Sequence, residues 1–407
     1  MMICGLLGRM LIHSYSPALH KMLGSYEYRL WEKEPEEAEK WIREGDWYGM
    51  NVTIPYKRTA AALCDELSPH AAQLGSVNTL LKRADGSVFG DNTDYEGFRY
   101  LLKSSGLDVS GRKALVLGSG GASVTVQAVL QDAGAEPIVI SRSGTDNYSN
   151  LEKHADAALI VNTTPVGMFP QVGETPIPLD GFAKLEGVFD LIYNPARTCL
   201  MLEAEKRGIP AFGGLGMLAA QAILSSRIWG LTGRSVYDAG HVAEELSRSM
   251  QNIVLIGMPG CGKSDTARML GRLLGRPVLD SDDEIVRESG MRIPEIFSRF
   301  GEDDFRRRET AVLKRFGASY GTVIATGGGA VTREENYLPL HQNGVIVWIR
   351  RDPDKLEVRG RPIFLTKDVR SLYEERKDAY ERFADFAVDS RPEPLETAKS
   401  ILEVLKL

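Results

Sequence analysis

The stretch GMPGCGKS, residues 257–264, has the residue types and spacing of a phosphate cradle. It lies between the apolar run NIVLIG and the helix-period segment DTARMLGRLLG. Gly257, Gly260, Cys261 and Gly262 would turn backbone amides toward phosphate oxygens, Lys263 would neutralise them, and the Ser264 hydroxyl would ligate magnesium. This chemistry is the binding of a nucleotide's phosphates with magnesium. The loop alone leaves the acceptor open.

A second cradle stands earlier, in VLGSGGAS at 116–123. Gly118, Gly120 and Gly121, with Ala122 opening the next helix, let the backbone turn after a strand and approach a pyrophosphate at a helix N-terminus. Ser123 stands where the general fingerprint prefers Gly or Ala. The following strand-like run, EPIVI, ends at Ser141, Arg142 and Ser143. An acid there would bind the ribose hydroxyls of NAD, whereas a cation flanked by hydroxyls suits the 2′-phosphate of NADP(H).

Two such cradles need two sheets. The chain has 407 residues with 43% hydrophobic content, more than one core organises, so two or three domains are expected. Runs KALVLG, PIVIS, AALIVN and GVFDLIY alternate with helix-period segments between about 100 and 215, and NIVLIG, PVLDSD, TVIATGGG and GVIVWIR do so after 252. Both series predict βαβ units around a parallel sheet. The segment YDAGHVAEELSRSMQ reads as a terminal amphipathic helix entering a short polar joint near Ser249, where the main boundary is expected. The acidic run from Glu32 reads as a surface helix with Trp31 and Trp41 on its inner face.

Asp plus Glu number 55 against 49 Lys plus Arg, and the net charge of −6 argues against a nucleic-acid or anionic-membrane surface. Cys4, Cys64, Cys199 and Cys261 form no CxxC pair, which suits a reducing cytoplasm. The six histidines lack zinc-binding spacing, and the apolar start MMICGLLGRMLIH reads as neither a targeting nor a spanning segment.

Upstream of the first cradle lie HSYSP at 13–17, GMNVTIPYK at 49–57, GSVNTL at 75–80 and GDNTD at 90–94. With NTTPVGM from Asn162, YNPART from Tyr193 and GLGMLAAQA from Gly214, they resemble shikimate dehydrogenase from about residue 5 to 245. The resemblance makes Ser14 and Ser16 donors to a substrate carboxylate. Asn51, Thr53, Asn78 and Gln221 would orient the ring and its hydroxyls, Tyr193 would stand near substrate and nicotinamide, and Gly214 beside the cofactor. Lys57 and Asp94 become the catalytic pair. Hydride reaching a ketone carbon leaves an alkoxide, and a cation able to give a proton lowers that barrier. Met10, Tyr95, Phe212 and Gly213 depart from the family pattern.

The second cradle's surroundings, VLDSDDEI, GEDDFRRRE, TGGGAV, GRPIF and EERKDAY in that order, resemble shikimate kinase over 252–407. By this match Asp280 acts near magnesium and Asp282 accepts a hydrogen bond, or the proton, of the attacking hydroxyl. Arg306 and Arg376 would grip the acceptor carboxylate, Gly328 and Gly329 would present amides, and Arg361 would sit over the transferring phosphate. The lid is short: only Gly360 separates Arg359 from Arg361.

Together these readings imply an α/β protein. A substrate domain at 1–100, completed by 214–246, would be joined to a Rossmann-type NADP domain at 101–213 and followed by a P-loop, nucleoside-monophosphate-kinase-like domain at 250–407. The implied function is reduction of 3-dehydroshikimate to shikimate, then phosphorylation of shikimate at its 3-hydroxyl. A quinate-type dehydrogenase fused to another kinase, and a metabolite sensor with one inactive half, are the rival readings.

Overall fold

The structure, a computed structural model, describes residues 2–11, 14–357, 362–365 and 368–407. The chain divides into two compact units, Met1–Ser247 and Arg248–Leu407.

The first unit holds two sheets. One contains β1 (Ile3–Gly8), β2 (Glu27–Glu32), β3 (Gly49–Val52), β4 (Glu66–Leu67), β5 (Thr79–Lys82) and β6 (Val88–Asp91), in the order β2-β1-β3-β5-β6-β4. It is mixed: β1 pairs in parallel with β2 and β3, while β5 runs antiparallel to β3 and β6. The other contains β7 (Lys113–Leu117), β8 (Glu136–Ile140), β9 (Leu159–Asn162), β10 (Gly187–Asp190) and β11 (Ala211–Gly213), ordered β11-β10-β9-β7-β8 and wholly parallel.

The strands β9 and β10 are buried along their whole length, and β7 along all but its first residue. Covered on both faces, such strands read as continuous Val, Leu and Ile rather than as an alternation. Chain order reverses between β7 and β9, and there a parallel sheet opens a crevice beyond its strand ends.

Helices Thr93–Ser104 and Leu215–Ile228 pack together. A Cβ at Gly97 would lie 2.8 Å from Gln221 Cγ and 3.1 Å from Met217 O, so a side chain there would displace Gln221. Trp229 ends the second helix with its ring in the core, and its Nε1 donates to Leu80 O at 2.9 Å. Truncation of such a ring to alanine costs about 3–5 kcal/mol.

The second unit has one parallel sheet, β12 (Asn252–Ile256), β13 (Val278–Asp280), β14 (Val323–Ala325), β15 (Gly344–Arg350) and β16 (Phe386–Asp389), ordered β13-β14-β12-β15-β16. Its central strand β12 is completely buried, and the 257–264 loop leaves its C-terminal end.

Two local readings change. The segment expected to be a polar joint is helical: Ala239–Met250 is one helix and β12 starts two residues later, because Val242 and Leu246 are buried on its apolar side. Trp31 is not on the acidic helix Pro35–Glu44; it lies on β2, and its ring meets Trp41 of that helix at 5.5 Å.

Candidate active sites

In the first unit, Lys57 opens helix Lys57–Ala62 after β3, and Asp94 lies in the first turn of helix Thr93–Ser104. Lys57 Nζ donates to Asp94 Oδ2 at 2.5 Å, with side-chain exposures of 20% and 8%. Asp94 is free for this pairing because the helix is capped by its neighbour: Asn92 Oδ1 accepts from the Asp94 amide at 3.1 Å.

Around the pair the polar side chains have defined polarity. Asn78 Oδ1 accepts from the Thr93 amide at 2.8 Å and from the hydroxyls of Thr93 and Thr79 at 3.1 Å each, leaving the Asn78 Nδ2 to donate. Asn51 is turned the other way. Its Nδ2 donates to Ser225 Oγ at 2.8 Å, Thr79 Oγ1 at 3.2 Å and Asn78 O at 3.3 Å. Its Oδ1 accepts from the Tyr28 hydroxyl at 2.8 Å.

Ser16 begins helix Ser16–Leu23 and is buried, and Ser14 Oγ accepts its amide at 3.3 Å. The Tyr193 hydroxyl lies near Ser14, and its ring lies 5.1 Å from that of Tyr15. Burial raises the Tyr193 phenol above its ordinary value, so it stays protonated. Thr53 donates its amide to Leu7 O at 2.9 Å, in line with the end of β1.

At the glycine loop, Gly118 has φ of 103°, and a Cβ there would lie 2.9 Å from Thr164 Cγ2 and 3.0 Å from Thr163 Oγ1. Both that backbone angle and that space exclude a side chain. Gly120 caps helix Gly121–Asp132, and around Gly120 and Gly121 a Cβ would meet nothing within 4 Å. Ala122 follows, half-buried. Ser141 is buried in the turn after β8, its amide on Asp146 O, while Arg142 and Ser143 are exposed. Gly214 donates its amide to Ile192 O at 3.0 Å, and a Cβ on it would strike Leu191 O.

Two of the four departures from the family pattern, Tyr95 and Phe212, have packing explanations. The Tyr95 ring turns aside to stack on His70 at 4.3 Å, with its hydroxyl on the Asp132 carboxylate. Phe212 stacks on Phe189 at 5.0 Å.

In the second unit, Gly257, Gly260 and Gly262 all have positive φ. Lys263 is buried, and its ammonium donates to Gly257 O at 2.8 Å and Met258 O at 3.0 Å. The Cys261 amide donates to Met258 O, and its thiol is buried. Ser264 Oγ donates to Asp280 Oδ2 at 2.6 Å, while Asp280 Oδ1 caps helix Ser281–Ser289 by accepting the Asp282 amide at 3.0 Å. Asp282 is therefore a first-turn residue whose carboxylate is not spent on capping.

The loop borders a cavity of about 440 Å³ lined by Lys263, Asp282, Arg292, Arg306, Gly328 and Arg376, among others. Arg306 is buried and donates through Nη1 to Glu309 Oε2 at 2.7 Å and through Nη2 to Glu302 Oε1 at 3.1 Å. A Cβ on Gly329 would collide with the Arg306 guanidinium. Arg376 Nη1 and the Tyr380 hydroxyl both donate to Gly328 O, at 2.9 and 2.5 Å. The Gly328 carbonyl is thus bound from the core side.

Asp282 Oδ1 and Glu309 Oε1 are sealed from solvent without a hydrogen-bond partner, and both lie against Gly327. Burial, then the carboxylates of Glu309 and Asp280, push the Asp282 carboxyl up to about 7 against the pull of Lys263 and Arg306. A carboxyl poised near neutrality is suited to taking a proton. Arg359, Gly360 and Arg361 lie outside the described residues.

Three site residues escape sequence reasoning. Glu309 sits three places after Arg306, on the same helix face, hidden by a run in which Arg307 and Arg308 face outward. Tyr28 lies in a strand with no motif. Asp190, wholly buried, accepts from Asn162 Nδ2 at 3.0 Å, Thr198 Oγ1 at 2.7 Å and the Ile192 amide at 3.1 Å, tying two of the quoted motifs together. Burial pushes it up to about 6 despite those three bonds.

Comparison with known proteins divides the chain in the same way. A family model described as the shikimate dehydrogenase substrate binding domain matches residues 6–80, and one described as shikimate kinase matches residues 259–406. The shikimate dehydrogenase (NADP(+)) of Methanopyrus kandleri is 37% identical over 260 residues, 56% of this chain and 89% of that protein. Among solved structures, shikimate dehydrogenase 1 of Peptoclostridium difficile superposes with a TM-score of 0.57 at 34% identity, covering 60% of this chain and 98% of that one. The shikimate 5-dehydrogenase of Thermus thermophilus, in complex with NADP(H) and shikimate, gives 0.55 at 34% identity, covering 60% and 99%.

Proposed function

Since the chain belongs to the shikimate dehydrogenase family and carries a shikimate kinase domain behind that part, we propose that it reduces 3-dehydroshikimate to shikimate with NADPH and phosphorylates shikimate with ATP and Mg2+. The observation carrying this reading is that each unit brings groups suited to its reaction together: Lys57 on Asp94 in one, and Asp282 near Lys263, Arg306 and Glu309 in the other.

The residues fit the two nucleotides. Gly118 makes a tight turn that a Cβ would obstruct, Gly120 and Gly121 are open, and the exposed Arg142 suits a 2′-phosphate. The 257–264 loop brings a buried ammonium and the Ser264–Asp280 pair to the place expected for triphosphate and magnesium. When bound, NADPH supplies a hydride and Mg-ATP a phosphoryl group.

What the chain supplies is positioning and proton handling. Ser14 and Ser16 hold the carboxylate and Tyr193 stands near substrate and nicotinamide, while Asn51, Thr53, Asn78 and Gln221 orient the ring. Lys57 gives its proton to the developing alkoxide, and Asp94 keeps the ammonium directed. In the second unit Arg306, Arg376 and the amides of Gly328 and Gly329 hold the acceptor, and Asp282 takes the proton of its attacking hydroxyl. Loose phosphoryl transfer asks mainly for such positioning and charge compensation. Arg359 and Arg361 are proposed to supply further charge at the phosphates.

No helix among the described residues is long and apolar enough to cross a membrane. The four cysteines are free, which supports a cytoplasmic setting. Incubation with shikimate and NADP+ alone, then with shikimate and Mg-ATP alone, tests the two halves separately. Formation of NADPH in the first and ADP in the second is expected; a null result in either removes that half of the proposal.

A further inference from the structure

The aromatic cluster behind Asn51 has no part in the chemistry above, yet one member, Tyr28, bonds that residue and the others pack around its ring. Tyr28 is on β2 and Asn51 on β3, either side of β1. Register pairs Tyr28 with Cys4 and Asn51 with Leu6, so both side chains leave the same face of the sheet. The Tyr28 hydroxyl donates to Asn51 Oδ1 at 2.8 Å and lies near the side chain of Ser16. One phenol oxygen therefore holds a residue of the ring-hydroxyl pocket and stands beside a residue of the carboxylate pocket.

The ring itself is clamped. His20 stacks on it with centroids 3.9 Å apart and planes 10° from parallel, and Trp229 lies on His20 at 5.4 Å. The His20 Nδ1 meets the Tyr26 hydroxyl at 2.6 Å and Ser226 Oγ at 3.2 Å. Burial pushes His20 down to about 3, so the stack stays uncharged, and burial raises the Tyr28 phenol well above its ordinary value.

We propose that Tyr28 is a substrate-positioning residue of the reductase site, whose hydroxyl fixes the Asn51 amide so that its oxygen, not its nitrogen, is offered to the ligand. Asn78 is locked in the opposite sense, with its nitrogen free. One acceptor and one donor side by side match the hydroxyls of a cyclic polyol and discriminate among their arrangements. Without the Tyr28 proton, the Asn51 amide is held from its Nδ2 side alone, by Ser225, Thr79 and the Asn78 carbonyl, and its oxygen is no longer aimed at one point. The proposal rests on the dehydrogenase reading above.

The test is Tyr28→Phe, which keeps the stacked ring and removes only the hydroxyl. The KM for 3-dehydroshikimate should rise about tenfold, with kcat within threefold and the KM for NADPH unchanged, since Lys57 and Asp94 are untouched. Combining it with Asn51→Ala should give a KM close to that of Asn51→Ala alone, because the two act through one amide. A purely structural role would lower the melting temperature and kcat together and give additive effects, overturning the proposal. A parent enzyme that reduces the substrate beside a Tyr28→Phe variant of unaltered KM overturns it as well and leaves the dehydrogenase reading standing; an inactive parent overturns both.

Discussion

Lys57 and Asp94 meet at 2.5 Å although they start from different helices 37 residues apart, and the capping of the second helix by Asn92 leaves the Asp94 carboxylate free to do so. The contact gives the ammonium a fixed direction. Lys57→Ala should therefore lower kcat for 3-dehydroshikimate reduction by roughly 10²–10⁴, with only a few-fold change in KM, since proton donation matters most in the transition state. Phosphorylation of shikimate by the same variant should be unaltered. Near-native reduction would remove Lys57 from the acid role.

Cofactor choice is expected to reside in Arg142, exposed just after β8. Arg142→Asp should raise the KM for NADPH at least tenfold and leave that for NADH within about threefold, because only the former carries the 2′-phosphate. Steady-state kinetics with both nucleotides decides it. Equal rises would mean that the arginine does not read the phosphate.

These sites are legible in the sequence to unequal degrees. The two glycine loops can be read because a backbone that must turn tightly against phosphate needs particular residues at fixed spacing, and the parallel strands because burial on both faces leaves unbroken apolar runs. Tyr28, Glu309 and Asp190 cannot, since each works through a contact set by sheet order or helix phase rather than by a local motif. The helical passage from Ala239 to Met250 reads as ending in a polar joint because its buried residues, Ala239, Val242 and Leu246, are few among charged neighbours.

Asp282 links function to stability. Its carboxyl stands at about 7 in the folded state against an ordinary value of 3.8, so between those values the folded state holds a proton that the unfolded chain has released. Stability of the second unit should fall as pH rises from about 4 to about 7, by on the order of 1 kcal/mol per pH step of one. Asp282→Asn removes that penalty: calorimetry at pH 8 should show the second unit melting at a higher temperature while phosphoryl transfer is lost. In the parent, kcat/KM for shikimate should rise with pH through an ionisation near 7. A variant that melts lower and still transfers phosphate would contradict both the burial and the role.

Cutting between Ser247 and Arg248 should leave two folded fragments. Arg276 donates to the carbonyls of Arg248 and Gln251, and Gly321 to that of Met250, so residues 248–251 are bonded within the second unit. Fragment 1–247 should reduce 3-dehydroshikimate and fragment 248–407 should phosphorylate shikimate, each at a rate within about threefold of the whole chain. Loss of both activities on cutting would show instead that the units depend on each other.

The most direct measurement supplies the purified chain with 3-dehydroshikimate, NADPH and Mg-ATP, follows NADPH by absorbance, and identifies the final product by mass. The account predicts one NADPH consumed for each molecule of shikimate 3-phosphate formed, with Lys57→Ala stopping both steps and Asp282→Asn leaving shikimate as the end product. A product that never carries phosphate, or phosphorylation that proceeds without prior reduction of the supplied ketone, would contradict it.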